Sequence, residues 1–558
     1  MDFSYLMAQA TPATNPAENS DMSSDLSSIV IVVLIIYLIV LLALGVIGWL
    51  RSKTTEEDFY LAGRGQGFLV TVMTIMATYF SSAAILGIPG NVYKEGTAFM
   101  LFAMNLPCAG ACIYLLGTKI RRIGQKRHYV TQGDMISDYY GDTPAIRLMV
   151  ALIGFFYVLP YIIMQIKAGG YLAQGMFPNA ADLNIFGQQM PIFQVGATAL
   201  SLVTMLYVLI GGMRSVAWTD VLQGVLLLSG MILAAVATIV ALGGFGGYFE
   251  KVSELPNEAL SLPGASGKWT PWKLMTVAIL ASIGSLVQPG QWIRLYAAKN
   301  DAILKKSSLV FAIVLPCCFL FGIMLVALAG RAIYPPEMVD GKLVAHAFVG
   351  EFDQIVIVMI KEQLPAMMGS FGLVLVAIML VAVLAASMST ADSNLHALSA
   401  VFTRDIYDRL FRPKSSQSER AWISRLVIVA ATFLALGLVN AGHDNETFAP
   451  LKTIASLMFA AIAFSCQLLP ATLDMLFFRK GTSAGVLAGM FAGVATVFLF
   501  TPFVPFSTSD TAASITRNLD LGLIGFTVNS IVFIVVSKFT SPIDPDHIHS
   551  LAKDMDNS

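Results

Sequence analysis

Charge is scarce in this 558-residue chain: Asp, Glu, Lys and Arg make up 12% of it and hydrophobic residues 56%. A soluble domain carries about a quarter charged residues, so the composition excludes a large water-facing domain, a nucleic-acid surface and a fused catalytic output domain. The chain is not expected to be an enzyme. The longest stretches outside the membrane windows, near 245–271 and 334–366, are short and mixed, and 541–558 is too small to fold alone and reads as a cytoplasmic tail. Residues 1–27 contain no Lys or Arg, so they lack the basic start of a signal peptide and read as an extracytoplasmic tail. Cysteine is rare too. The five, Cys108, Cys112, Cys317, Cys318 and Cys466, lie in apolar runs with no histidine or further thiol to complete a metal site, and are expected to be small buried apolar residues.

What is abundant is apolar sequence in lengths that cross a bilayer. About 20 helical residues span ~30 Å of hydrocarbon. Such windows recur about 13 times, near 28–50, 67–90, 97–119, 144–168, 193–211, 216–244, 272–295, 306–333, 367–399, 422–441, 449–478, 482–503 and 520–539. An all-α polytopic membrane protein is expected. Basic residues collect in alternate loops, as in Arg51, Lys53 and Arg64, then Lys119 to Arg127, Lys299 to Lys306, Arg404 to Arg420, and Arg479 with Lys480. That side is cytoplasmic, and an odd number of spans then puts the amino terminus outside a cell membrane and the carboxyl terminus inside. Gly87-Ile-Pro-Gly90 ends the second span, and Gly284 with Gln288-Pro-Gly290 marks the seventh. Their interval suits an inverted repeat whose first helices are interrupted.

The run from Leu384 to His396 is polar where hydrocarbon demands apolar residues: it holds Ser389, Thr390, Asp392, Ser393, Asn394 and His396. Helical periodicity stacks Ala386, Ser389, Thr390 and Ser393 along one face and sets Asp392 and His396 within hydrogen-bonding reach. Hydroxyls alone often bond back to their own helix, but burying a carboxylate costs ~2.5–3.5 kcal/mol or more, so it needs a partner. Counted from Arg404, Thr390 lies ~21 Å into the membrane; counted from Arg64, Ala77 lies ~19 Å in from the same side. Carbonyls released by a break near Ala77 to Ser82 would therefore meet those hydroxyls at mid-depth. A cage of neutral oxygens suits a hard monovalent cation such as sodium. Asp220 falls near the level of Asp392 and Ser393, where it would hold a second cation, share a proton or cap a helix amino terminus.

In their order and spacing these residues resemble the sodium:solute symporter family, which contains the proline and pantothenate symporters and the sodium/glucose and sodium/iodide carriers. The resemblance runs over about residues 28–540. It rests on Asp58-Phe-Tyr-Leu-Ala-Gly-Arg64, Gly87-Ile-Pro-Gly90, Tyr207-Val-Leu-Ile-Gly-Gly-Met-Arg-Ser215 with Trp218-Thr-Asp220, Gln288 with Arg294, and Met388-Ser-Thr-Ala-Asp-Ser393. It implies a LeuT-like 5+5 inverted repeat, with repeat 1 in 67–244, repeat 2 in 272–478, one helix (28–50) before them and two (482–540) after.

The resemblance also implies a sodium site formed by carbonyls of Ala77, Phe80 and Ala386 and hydroxyls of Ser389 and Thr390. The second site of some members matches Asp220, Ser389 and Ser393, with Asp392 where those members have serine, so sodium, a proton or neither binds there. The solute pocket falls on Ser81, Ser82 and Gln288. The polar residues of the sugar carriers fall on Ala84, Ala103 and Ala312, and the Asp of the proline carriers falls on Tyr79. The implied function is sodium-coupled symport, by a monomer in a lipid bilayer, of a small organic solute, a carboxylate or amino acid before a sugar. Two alternatives stay open: a proton-coupled carrier using Asp392, His396 and Asp220, and a membrane sensor that binds solute without moving it.

Overall fold

The computed structural model describes residues 16–51, 55–177, 182–185, 188–413, 415–443, 453–501 and 504–556. Residues 1–15 of the expected amino-terminal tail, the start of the window at 449–478, and Lys53 and Lys414 of the basic loops lie outside the described residues. A backbone in hydrocarbon must close its hydrogen bonds within itself, and helices do so. In chain order we label α1 (Pro16–Leu50), α2 (Phe68–Tyr79), α3 (Ala83–Glu95), α4 (Thr97–Lys126), α5 (Gln132–Tyr139), α6 (Pro144–Met176), α7 (Ile192–Leu209), α8 (Gly212–Ala241), α9 (Pro271–Val287) and α10 (Pro289–Ala297). There follow α11 (Asp301–Ile333), α12 (Phe352–Phe411), α13 (Gln417–Gly442), α14 (Ile454–Phe478), α15 (Ser483–Leu499), α16 (Leu521–Lys538) and α17 (Pro545–Asp556). Ten described helices are long and apolar enough to cross a membrane, or twelve if each of two bent pairs is one span. The one remaining expected span, 482–503, is α15, which at 17 residues falls short of that length. Two small β-hairpins decorate the loops.

The bent pairs are α2 with α3, at 57°, and α9 with α10, at 51°. Both expected first helices of the repeats are interrupted, the first within the expected Ala77 to Ser82 stretch and not at Gly87-Ile-Pro-Gly90. It falls at Phe80 to Ser82, and the chain runs on helically through Pro89 to Glu95. A wider π-turn over Ala83–Gly87 precedes Pro89, and local widening of this kind accommodates a proline's missing N–H. The glycines there serve close packing instead. A Cβ on Gly87 would come within 3.0 Å of the Ala455 backbone, and one on Gly90 within 2.9 Å of the Phe352 carbonyl. In the second repeat Pro289 holds Gln288 extended (φ −69°, ψ 133°), which ends α9.

Gly369 (φ 54°) divides α12 into an outer leg and the span that carries the polar run. The outer leg rests on the start of α14, where Asp353 accepts the Ile454 N–H at 2.9 Å. At the opposite end of the molecule the expected tail 541–558 is a docked helix through Asp556, not an unfolded segment. Leu551, Ala552 and Met555 of α17 are buried, and its acids face the basic loops: Asp554 pairs with Arg127 at 2.7 Å, Asp556 with Lys119 at 3.0 Å and with Arg479 at 2.7 Å. The cysteines depart from expectation as well. Cys318 and Cys466 are buried, but Cys108 and Cys317 are exposed on outward faces of α4 and α11.

Candidate functional site

Chain geometry at the first break releases two carbonyls. In an unbroken helix the Ala77 oxygen would accept the Ser81 N–H and the Phe80 oxygen the Ala84 N–H. Here Ser81 donates to Tyr79 O (3.0 Å) and Ala84 to Ser81 O (2.9 Å). Both freed oxygens turn toward α12, where Thr390 Oγ1 lies 3.2 Å from Ala77 O and 3.2 Å from Phe80 O. A hydroxyl has one proton to give, so lone pairs on these oxygens remain unused. On the same turn of α12, Ser389 Oγ donates to Ala386 O at 3.0 Å. Ala77, Phe80, Ala386, Ser389 and Thr390 are all fully buried. The five expected residues thus fall into two contacting sets on adjacent positions, all neutral oxygens, which is the donor chemistry of an alkali cation.

Below them lies a second polar cluster. Asp220, on α8, and Asp392 are each 0% exposed. Arg294 of α10 ties the level together: it donates to Thr74 O of α2 (2.8 Å), Gly290 O (3.0 Å), Asp220 Oδ2 (3.0 Å) and Ser393 Oγ (2.5 Å). Asp220 Oδ1, also buried, has no hydrogen-bond partner among the described residues. Asp392 accepts from Tyr207 O–H at 2.7 Å and from Ser393 at 3.0 Å. The expected Asp392–His396 bond does not form. The His396 ring packs against Phe59 and Tyr60, at 5.3 and 5.5 Å between centroids, while the Asp392 carboxylate is taken by the hydroxyls of Tyr207 and Ser393. Ser389 joins this cluster through its carbonyl, which Ser393 reaches at 2.6 Å, and not through its hydroxyl.

Next to the break is a cavity of about 40 Å³ between the two interrupted helices. Ser81 and Gln288 line it, together with Tyr79, Asn105, Tyr161 and Phe319, and none of its lining residues carries a formal charge. Ser82 does not line it. As the first residue after the break its N–H has no helical acceptor, so it donates to Gln165 Oε1 (2.9 Å), and its hydroxyl donates to Met164 O (3.1 Å). That fastens the break to α6. Ala84 and Ala103 line the cavity as expected of the resemblance, whereas Ala312 packs against Gly110. Asn105 and Gln165 were not singled out from sequence, although a lone amide in an apolar run is itself a signal of a buried polar contact; Tyr207 entered only as the start of a family motif.

The two serines therefore separate by experiment. Ser81→Ala is expected to raise the solute concentration for half-maximal uptake several-fold with an unchanged melting temperature. Ser82→Ala is expected to leave that concentration alone and lower stability by about 1 kcal/mol, the worth of a lost hydrogen bond. Uptake kinetics and thermal melting of the purified variants check both.

Comparison with known proteins gives the family and the fold. Residues 59–493 match the model of the sodium:solute symporter family. The sodium/proline symporter of Escherichia coli (strain K12) is 26% identical over 471 residues, covering 83% of this chain and 86% of that protein. The sodium/pantothenate symporter of Haemophilus influenzae is 26% identical over 458 residues, with 80% and 86% covered. Among solved structures, a Na+-coupled sialic acid symporter in its substrate-bound outward-open state superimposes with a TM-score of 0.71 at 19% identity, covering 92% of this chain and 99% of that one. MhsT in complex with L-phenylalanine gives 0.52 at 16% identity, with 84% and 98% covered. At such identities the likeness shows the fold, the LeuT-like architecture of sodium-coupled transporters.

Proposed function

The chain belongs to the sodium:solute symporter family and is a transporter, not an enzyme; from that premise we propose that its sodium is held by Ala77, Phe80, Ala386, Ser389 and Thr390 and its solute in the adjoining cavity lined by Ser81 and Gln288. The observation that carries this reading is the meeting of Thr390 Oγ1 with two carbonyls freed from α2. Sodium there bridges α2 and α12, so it stabilises the arrangement in which the cavity walls are assembled and raises solute affinity. Reciprocity of binding free energies makes solute raise sodium affinity equally. Rocking of the helices around the fixed site then exposes both to the other side.

Charge bias orients the chain with its basic loops, α17 included, in the cytoplasm and its amino terminus outside. A potential of 100 mV contributes ~2.3 kcal/mol per charge and a tenfold sodium gradient ~1.4 kcal/mol. One sodium thus sustains roughly 500-fold accumulation. The solute is a small carboxylate or amino acid before a sugar. Alanine at 84 and 103 offers a sugar no directed hydrogen bonds, while Ser81, Asn105 and Gln288 suit a compact polar group, and the relatives named above carry proline and pantothenate. A second cation, sodium or proton, is favoured at Asp220 by its unpartnered Oδ1, beside Asp392 and Ser393.

Proteoliposomes decide among the readings. With the purified chain as a monomer in a lipid bilayer, an inward sodium gradient is expected to drive uptake from a panel of labelled amino acids and small carboxylates, and a pH gradient in sodium-free buffer is expected to drive none. Uptake by the pH gradient alone would make the chain a proton-coupled carrier, and binding without flux would make it a sensor.

A further inference from the structure

A cavity of about 400 Å³ opens between α14 and α16, remote from the transport site, at the membrane boundary that carries the basic loops. It exists because α16 is drawn toward α15. Gly485, Gly489 and Gly493 repeat every fourth residue, and their missing side chains admit Phe533 and Asn529 of α16, the close small-residue packing of membrane helices. Pulled to that side, α16 leaves a wedge against α14. One wall is Pro470, Leu473 and Phe478; the other is Phe526, Phe533 and Ile534, which helical spacing sets on one face of α16.

The wedge is polar at one end only. Lys538 closes α16 and Lys480 follows α14, both lining the cavity. Neither lysine forms an ion pair with a described residue, whereas neighbouring Arg479 is engaged by Asp556 at 2.7 Å. The one acid in the wall, Asp474, is spent on the chain itself: it accepts from Lys480 N (3.0 Å), Gly481 N (2.9 Å) and Tyr140 O–H (2.9 Å). From Lys538 back to Phe526 the helix rises ~18 Å, close to the ~15 Å half-thickness of the hydrocarbon core. An apolar slot one leaflet deep, with two ammonium groups outside any ion pair among the described residues against one hydrogen-bonded carboxylate, fits one kind of occupant.

We propose that this wedge is a binding site for an anionic phospholipid, whose phosphate sits between Lys480 and Lys538 and whose acyl chain lies along Phe526, Phe533 and Leu473. Basic pockets between spanning helices select anionic headgroups, and each basic residue near the surface strengthens the attraction. The nearby Lys119 and Arg479 are held by Asp556 of α17, so the two lysines are left to select the headgroup while the slot selects the tail.

Native mass spectrometry of the full chain, loaded with equal amounts of phosphatidylglycerol and phosphatidylcholine of the same acyl chains, tests it. Retained phosphatidylglycerol is expected to exceed phosphatidylcholine by roughly tenfold. The double variant K480Q/K538Q, altered only at two exposed positions, is expected to bring the two lipids to parity with an unchanged melting temperature. Phe526→Trp, which fills the far end of the slot, is expected to reduce retention of both. Excess glycerol 3-phosphate is expected to displace neither. Parity in the unaltered chain, a persisting phosphatidylglycerol excess in K480Q/K538Q, unreduced retention in Phe526→Trp, or displacement by the soluble phosphate would each overturn the proposal.

Discussion

Replacing Thr390 by alanine is expected to raise the sodium concentration for half-maximal uptake about tenfold or more, a loss of ~1.4 kcal/mol or above in ion binding. The variant still inserts and folds. Its removed hydroxyl oxygen lies 3.2 Å from both Ala77 O and Phe80 O, and with that oxygen gone those carbonyls face a methyl group. Thr390→Ser keeps the oxygen and is expected to stay within a few-fold of the unaltered chain. Solute affinity measured at saturating sodium should move little in either variant, because the cavity walls are intact. Sodium-dependent uptake and sodium-dependent thermal stabilisation give two independent readings of the same constant. Identical sodium dependence in Thr390→Ala would remove this residue from the ion site.

The second large effect concerns Arg294. Its guanidinium joins α2, α8, α10 and α12 through Thr74, Asp220, Gly290 and Ser393, at 1% exposure. Arg294→Met keeps the length and apolar stem but strands Asp220 as an unpaired carboxylate in the protein interior. Breaking a buried pair from one side costs ~3–5 kcal/mol, so a large fall in melting temperature and in transport is expected. Asp220→Asn added to Arg294→Met removes the stranded charge and is expected to restore much of the stability but not the sodium stoichiometry, if Asp220 holds a second cation. A double variant as unstable as the single one would mean that the guanidinium acts through Thr74 and Gly290 and not through charge. Melting temperatures of the two single variants and the double one form the cycle that separates these terms.

The pairing of Ala77 with Thr390 was legible from counting alone, since residues at equal rise from the same boundary must share a depth. A break between Ala77 and Ser82 was expected as well, but from matching depths and not from any mark in the composition. Gly87-Ile-Pro-Gly90 has the composition of an interruption, yet its glycines make room for Phe352 and Ala455 while the chain parts at Phe80 to Ser82, three residues with no such mark. Likewise Asp392 and His396 are spaced to meet on an isolated helix, but packing offers Asp392 the nearer hydroxyls of Tyr207 and Ser393. Ser82 stands beside Ser81 in sequence and points to α6 instead of the cavity, since a helix start needs acceptors for its own N–H groups.

Local composition suffices for the spanning segments, the polar run at mid-depth, the neutral oxygens at 386, 389 and 390, and the family pattern they form. Which buried charges pair was decided only in three dimensions. Asp220 and Arg294 lie on different helices whose crossing no local signal encodes, and the groove beside α16 exists because glycines on α15 draw one helix aside from another. The physical reason is range. Hydrophobicity and helical rise act along the chain over a few turns, whereas the partner of a buried charge is whatever the packing of distant helices brings within hydrogen-bonding distance.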